Sequence, residues 1–414
     1  GPADAGAGAA EYAVFDAEDA QGDFVLREDG GYCRAQLAID GINCAACTWL
    51  IEQTMARLPG VSLALVNLNQ SRLDIRFDPA QLSFSRIFSR LDALGYQAWW
   101  NLPALPKFNT YTPAVREFIF SAAEHWVRFG ADGWRLDVAA EIDDDSFWQE
   151  FRRRVKAANP EAYIVAEIWH ESKRWLQGDQ FDAVMNYLVT AALMGMLIGD
   201  KIPSYAYRIG GWDRVLRPLT ATEFGDRIDY LLTLYDPEIN SVQLNLVDSH
   251  DTPRFLTTAG GDESALRLAY LFLFTYIGAP CIYYGDEIGM TGGPDPECRK
   301  SFNWDENSWN HDLRGFMKEL AHLRHSQPAL RRGTYQRIHS DRDVIVYTRK
   351  FETDTLLVIM NIAREEKQVE INLEAVGITP GSFKTLFGSS DFQVAEGKII
   401  TLHVAGRSGV VIKT

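Results

Sequence analysis

Three short apolar runs in this chain end in carboxylates. They read Gly133-Trp134-Arg135-Leu136-Asp137-Val138, Ile164-Val165-Ala166-Glu167-Ile168-Trp169-His170 and Leu246-Val247-Asp248-Ser249-His250-Asp251. Where parallel strands alternate with helices, the C-terminal strand edge carries the chemistry. Arg135 and Asp137 stand two apart, so on a strand they share a face. A guanidinium beside a carboxylate holds it ionised, as a nucleophile requires. Glu167 sits in a frame of Ile, Val and Trp, where desolvation raises proton affinity and suits a general acid. One nucleophilic and one acid/base carboxylate, roughly 5 Å apart, are the minimum for retaining glycoside hydrolysis. Trp134, Trp169, Tyr187 and Tyr284 offer aromatic surfaces for sugar faces near these strand ends. Each acidic residue alone fits a helix cap or a core ion pair equally well, so the constellation carries the reading.

A second centre is Gly41-Ile42-Asn43-Cys44-Ala45-Ala46-Cys47, between an expected strand and a helix N-terminus. There the helix dipole and free amides lower a thiol pKa and stabilise thiolate. Two thiolates in a tight turn suit a soft, low-coordinate ion such as Cu(I). Zinc would want four ligands, and only Cys33 lies nearby. A redox disulfide and two ordinary small residues are the alternatives.

The elements that must position these residues follow from the pattern of apolar residues. Residues 1–30 are rich in Ala, Gly, Asp and Glu without periodicity and read as a flexible lead. From Cys33 the order is strand, helix Thr48 to Leu58, strands VSLALVNL and SRLDIRF turned near Asn69-Gln70, helix SFSRIFSRLDALG, and a last strand from Tyr96 to Trp99. That βαββαβ order over 31–97 is the ferredoxin-like plan. No lysine precedes Lys107, a composition shift that marks a boundary. Beyond it, helices (113–129, 145–158, near 171–177, 188–198, 220–235, 263–277) alternate with apolar strands (132–138, 162–168, 182–187, 242–248, 280–284), predicting a parallel α/β sheet over 98–332. From Gly333 to Thr414 alternating strands predict a small antiparallel β-sandwich.

Composition adds outer bounds. At 414 residues the chain has room for two or three domains, and 46% apolar with 23% charged residues is ordinary for globular protein. A formal charge of −15 argues against nucleic acid or an anionic membrane as the main partner. Five cysteines in so long a chain do not form a secreted disulfide framework, so a reducing, cytoplasmic compartment is expected. The chain opens Gly-Pro-Ala-Asp with no methionine and no signal peptide, which reads as a processed, tagged or cut N-terminus. The run LAYLFLFTYIGAPCIYY, broken by Gly278-Ala279-Pro280, reads as a buried helix and strand rather than a membrane span.

Residues 31–97 resemble the heavy-metal-associated domain of copper-transporting P-type ATPases, with Ile42 where that family has methionine before its CxxC. The resemblance implies Cu(I) at Cys44 and Cys47; the pump's membrane helices and DKTGT motif are absent, so transport is not implied. Residues 98–414 resemble the alpha-amylase superfamily of glycoside hydrolases. GWRLDV, AEIWH and VDSHD match its second to fourth signature regions in order, LPKFN matches the region peculiar to the neopullulanase, cyclomaltodextrinase and maltogenic amylase branch, and GAPCIYYGDEIGM with PDPECRKSFNWD is similar to that branch's eighth strand and loop.

This second resemblance implies Asp137 as nucleophile, Glu167 as acid/base and Asp251 as transition-state stabiliser, acting on α-1,4-glucan oligosaccharides or cyclomaltodextrins. It places Arg135 and His250 at the cleaved glucose and Glu141, Trp169 and His170 at neighbouring subsites; Ala140 replaces the branch's asparagine. It also implies an eight-stranded barrel, of which this sequence supplies strands four to eight, a partial TIM barrel. The first signature region has no counterpart, and neither would the family's usual calcium ligands, so no calcium site is assigned. Impaired catalysis and self-association through two long apolar sheet edges are the expected results. The stretch GYQAWW fits both resemblances at once, near 95–99. Three readings follow: a glucan hydrolase, a copper-binding module with a hydrolase passenger, and an artificial composite of two reading frames.

Overall fold

The computed structural model describes residues 16–17, 21, 25–28, 30–38, 45–67, 72–93, 96–98, 106–375, 377–378, 383–395 and 399–414. The chain divides into two compact units, Gly1–Trp126 and Val127–Thr414.

In the first unit, β1 (Val25–Arg27), β2 (Cys33–Ala38), β3 (Val61–Asn67) and β4 (Arg72–Phe77) form one antiparallel sheet in the order β1-β2-β4-β3. Alternation separates its faces. Cys33, Ala35, Leu37, Leu73, Ile75 and Phe77 are buried in one core with Ile51 and Met55 of helix Ala45–Met55 and Ile87, Phe88 and Leu91 of helix Phe84–Ala93. Residues of opposite parity pair by charge: Arg34 Nε donates to Asp74 at 2.8 Å, and Arg76 Nε to Glu28 at 2.5 Å.

Two details depart from the sequence expectation. The segment read as a lead supplies β1, which takes the edge beside β2. In the expected plan the last strand would occupy that edge. With the position filled, β5 (Tyr96–Ala98) pairs instead with β6 (Pro106–Phe108) as an antiparallel hairpin. The rest of GYQAWW and the segment up to Leu105 lie outside the described residues.

Among the described residues the second unit holds five parallel strands. β7 (Gly133–Leu136), β8 (Tyr163–Ala166) and β9 (Ala183–Val184) are one ladder, and β10 (Leu244–Asn245) with β11 (Ala279–Pro280) another. A single parallel bridge, Met185 to Leu244, joins them. Side chains complete the seam: Gln243 Oε1 accepts from the Val184 N–H at 3.0 Å, and Asn186 Nδ2 donates to Asn245 Oδ1 at 2.9 Å. Gln243 thus satisfies a backbone N–H that a longer ladder would have paired, while the two asparagines tie the strands side chain to side chain. The outermost of these strands, β7 and β11, have four and two residues, so among the described residues the sheet edges are short.

Helices lie around these strands. Helix Tyr187–Leu197 is buried along its whole length, and helix Glu263–Thr275 nearly so, as expected of helices apolar on every side. The second accounts for LAYLFLFTYIGAP: it ends before Gly278, at φ 95°, where a Cβ would lie 2.6 Å from the Gln243 carbonyl oxygen. Among the described residues no helix is long and apolar enough to cross a membrane. The helix expected near 171–177 is a series of turns. Its backbone bonds outward, the Ser172 N–H going to the Tyr235 hydroxyl, and Gly178 at φ 90° ends the run.

From Thr334 two antiparallel sheets face each other. One holds β12 (Thr334–Ser340), β13 (Val344–Phe351), β14 (Asp354–Asn361), β16 (Lys384–Phe387) and β19 (Ser408–Lys413); the other holds β15 (Lys367–Asn372), β17 (Asp391–Ala395) and β18 (Ile399–Val404). Val344, Val346, Leu357 and Ile359 meet Val369, Ile371, Ile400 and Leu402 between the sheets, while Ile345, Tyr347, Leu356 and Val358 face the helices. Burial on both faces explains why β13 and β14 read as unbroken apolar runs.

Candidate active site

β7 presents Trp134 and Arg135 on opposite faces. Trp134 packs edge-on against Phe151 of helix Asp145–Ala158, ring centres 6.5 Å apart, and so lies away from the carboxylates. That side chain is not a sugar platform beside Asp137. Arg135 faces the other way and pairs with both carboxyls: Nη1 with Asp137 Oδ1, and Nη2 with Glu167 Oε1 at 3.2 Å. Its Nε points at Met185 Sδ, 3.4 Å away.

Asp137 follows the last β7 residue with a side chain 70% exposed. Partial burial works against its ionisation, but Arg135, Glu167 and the nearby His250 outweigh that and hold the carboxyl below its ordinary value. Glu167, one residue past β8, is 3% exposed. Burial raises its proton affinity; the Val138 N–H and Arg135 oppose the rise, and the Asp137 charge adds to it. The Val138 N–H donates to Glu167 Oε2 at 3.0 Å, and Trp169 Nε1 to Oε1 at 3.3 Å. Val138 reaches that position at φ 37°, a left-handed conformation a β-branched residue rarely adopts. A valine held in strain beside two carboxyls is typical of functional turns.

The third run places its two aspartates differently. Asp248 is buried, whereas His250 and Asp251 stand at the open edge. His250 Nε2 lies 3.0 Å from Asp251 Oδ2. Arg299 Nη2 donates to Asp251 Oδ1 at 2.8 Å, and its Nε to the His250 carbonyl at 2.9 Å. Ser249 Oγ bonds the Asp251 N–H at 3.2 Å and the Tyr187 hydroxyl at 3.0 Å. Tyr187 lies within electrostatic reach of Arg135, Glu167 and Asp251, and burial pushes its phenol well above the usual range. Trp169 stacks on Tyr187 with ring centres 3.5 Å apart and planes 6° from parallel. Gly210 covers the indole, where any Cβ would lie 2.2 Å from Trp169 Cε3.

Asp137, Glu167, Arg135, His250, Asp251 and Trp169 are therefore gathered around one place. Glu141 sits half-buried in the turn Ala139–Glu141. His170 is exposed and tilts toward Trp175, ring centres 5.8 Å apart. Tyr284 is anchored through its hydroxyl to the Lys300 carbonyl at 2.6 Å. Arg299 is the residue that sequence spacing did not isolate: it lies 48 positions from Asp251, within a loop whose motif was visible but whose side-chain direction was not.

Deeper in the same unit is a second carboxyl pair. Arg254 Nη1 pairs with Asp286 Oδ1 at 2.9 Å, the Tyr270 hydroxyl donates to Asp286 Oδ2 at 2.6 Å, and Asp248 Oδ2 accepts the Phe255 N–H at 2.6 Å. Burial, then the nearby Asp286, raise Asp248 well above the carboxylate range. Arg254 also stacks over Tyr283 and Tyr284, at 4.5 and 4.9 Å from the ring centres.

Of the thiols expected to hold copper, Cys44 lies outside the described residues, as does the side chain of Cys47 within helix Ala45–Met55. Cys33 is buried in the core of the small sheet. Among the described residues no group of three or more His, Cys, Asp or Glu is arranged to hold a metal ion.

Comparison with known proteins gives three family matches. Residues 95–317 match the alpha amylase catalytic domain, residues 336–411 the maltogenic amylase C-terminal domain, and residues 36–97 the heavy-metal-associated domain, so the first and last overlap at 95–97. A cyclomaltodextrinase of Geobacillus thermopakistaniensis is 43% identical over 285 residues, which are 68% of this chain and 45% of that protein. Neopullulanase 2 of Thermoactinomyces vulgaris is 42% identical over 278 residues, 67% of this chain and 44% of that one. Among solved structures, Ttha1563 of Thermus thermophilus aligns at TM-score 0.72 with 42% identity, covering 77% of this chain and 66% of its own. The native debranching enzyme of Nostoc punctiforme aligns at 0.71 with 39% identity, covering 77% and 65%. The chain spans less than half the length of these curated relatives.

Proposed function

The chain belongs to the alpha-amylase catalytic-domain family, and from that premise we propose that it is a retaining hydrolase of α-1,4-glucan oligosaccharides or cyclomaltodextrins. The observation that carries this reading is the position of Arg135 between two carboxyls whose proton affinities move in opposite directions. Asp137, lowered and exposed, attacks the anomeric carbon. Glu167, raised and buried, gives its proton to the departing glycosidic oxygen, leaving a sugar esterified to Asp137. Glu167 then takes a proton from water as the water oxygen attacks the same carbon and frees Asp137. Asp251, fixed by His250 and Arg299, stabilises the positive charge that develops on the sugar. Trp169, Glu141 and His170 are assigned to the neighbouring subsites.

The five parallel strands stand in this proposal for the fourth to eighth of the family's barrel. Turnover by the chain alone is expected to be weak, because the first signature region, which would wall one side of the site, has no counterpart. Reducing-sugar release from a cyclomaltodextrin by the purified chain tests this, with Asp137→Asn beside it. Release abolished by the substitution supports the assignment. No release from folded, soluble protein, or release the substitution leaves unchanged, overturns it.

A second reading has its own support. Residues 36–97 are a heavy-metal-associated domain, a metal-binding module. We propose that Cys44 and Cys47 hold one Cu(I) as cargo, with two thiolates as the soft, low-coordinate donor set. One equivalent of Cu(I) bound under reducing conditions and lost in Cys44→Ser is the expected result; equal binding by the variant overturns it. The overlap at 95–97 supports a further proposal, that the chain joins two unrelated reading frames. Uninterrupted reads of source DNA across codons 90–105 would sink that proposal.

A further inference from the structure

A pocket of about 1200 Å³ opens in the second unit where the C-terminal sandwich meets the helices, apart from the carboxylate cluster. Four cations line it: Lys201, Arg342, Arg364 and Arg407. Two acids, Asp200 and Asp262, also face it. Asp262 is already engaged, as cap of helix Glu263–Thr275 and as partner of Arg407 at 3.2 Å. The pocket wall therefore carries an excess of two positive charges on a chain whose formal charge is −15.

Arg407 is built into this wall. Its backbone takes φ 50°, left-handed for a residue with a Cβ, and its N–H donates to the Ala363 carbonyl at 2.7 Å. That bond brings the loop of Arg407 against the loop of Arg364, where Gly406 leaves no room for a Cβ beside the Arg364 carbonyl. The Arg407 Nη2 is fixed by the Leu197 carbonyl at 3.0 Å and by Asp262, while its Nε is buried without a hydrogen-bond partner. A phosphate group, with several acceptor oxygens, matches the guanidinium and ammonium donors that line this one pocket.

We propose that this pocket binds a phosphate monoester, its phosphate held by Arg407 with Lys201, Arg342 and Arg364 and its organic part filling the remaining volume. The proposal stands apart from the glucan reading, since neither the carboxylate cluster nor turnover enters it.

Calorimetric titration of the full chain with inorganic phosphate, with glucose 1-phosphate and with glucose tests it. Both phosphates are expected to bind, glucose not, and affinity to fall with salt. Tighter binding of the sugar phosphate than of phosphate supports the monoester; equal binding, which makes free phosphate the ligand, overturns it. Arg407→Gln and, separately, Lys201→Gln with Arg364→Gln are expected to weaken binding at least about tenfold, a loss of about 1.4 kcal/mol. The second variant keeps the test open if Arg407→Gln does not fold. No heat from either phosphate at millimolar concentration, binding untouched by the folded variants, or glucose binding as well as its phosphate each overturns the proposal.

Discussion

At the strand edge Arg135 pairs with Asp137 and Glu167; inside the fold Arg254 pairs with Asp286 beside Asp248. The inventories match, two carboxyls and one arginine, yet the surroundings differ. Asp137 is 70% exposed and Glu167 3%, so water reaches one side of the first pair. Asp248 and Asp286 are both closed in, at 1% and 3%. Uneven exposure splits the proton affinities of the outer pair, one falling and one rising. Uniform burial raises both members of the inner pair, and Asp248, further from the guanidinium, keeps the proton. A split pair can do acid and nucleophile work together; a uniformly buried pair ties loops together. The inner pair does the latter, linking the segment after β10 to the turn after β11 behind the residues that carry Asp251.

Breaking the comparison begins with the inner arginine. Arg254→Met leaves Asp286 without its cation and removes the bond to the Tyr284 carbonyl. Removing one partner of a buried pair costs about 3–5 kcal/mol, so thermal unfolding should show a large drop in Tm or insoluble protein. A Tm within a degree or two of the parent's would mean that the burial of this pair is not what holds the loops. The next effect is smaller and depends on pH. Asp248 keeps its proton in the fold, whereas an unfolded aspartate releases it near 3.9. Its contribution is complete below that value and is lost as pH rises toward the raised folded value. The loss reaches at most about 1.4 kcal/mol per pH unit for one proton. Asp248→Asn should flatten this slope in urea unfolding followed from pH 4 to 8. An unchanged slope would show that Asp248 is not the proton holder.

Which of these features could be read from the chain follows from their range. Helices Pro113–Phe129 and Asp145–Ala158 stand where apolar periodicity put them, because burial of a stripe is a local pattern. The carboxylates at the ends of β7 and β8 were legible for the same reason, a strand followed at once by its acid. Trp134 departs from the place its aromatic type suggests, because the two-residue alternation of β7 turns it toward Phe151. The seven residues at 171–177 have helical composition, but Ser172 and Gly178 direct the backbone elsewhere. Arg299, Gly210 and the Asp248–Asp286 pair come from segments tens of residues apart, and nothing local announces such meetings. The edge taken by β1 is a similar case: three residues in a polar lead pair with β2 through backbone, which composition does not record.

The outer arginine sharpens the comparison last and by the least. Arg135→Met should shift stability by no more than about 1 kcal/mol, since Asp137 is exposed and the buried Glu167, whose proton affinity burial already raises, takes up a proton when the cation is gone. Its effect belongs to the pH profile. The Arg135 charge lowers both Asp137 and Glu167, so its loss lets both carboxyls rise. Under the proposed mechanism the acid limb of kcat/KM, assigned to ionisation of Asp137, moves up, and the alkaline limb, assigned to the proton on Glu167, moves up with it. The whole bell should therefore slide to higher pH, with its height reduced because Asp137 also loses the partner that orients it. A drop in Tm with unmoved limbs would make Arg135 a structural tie like Arg254, and the two pairs would then differ in depth alone.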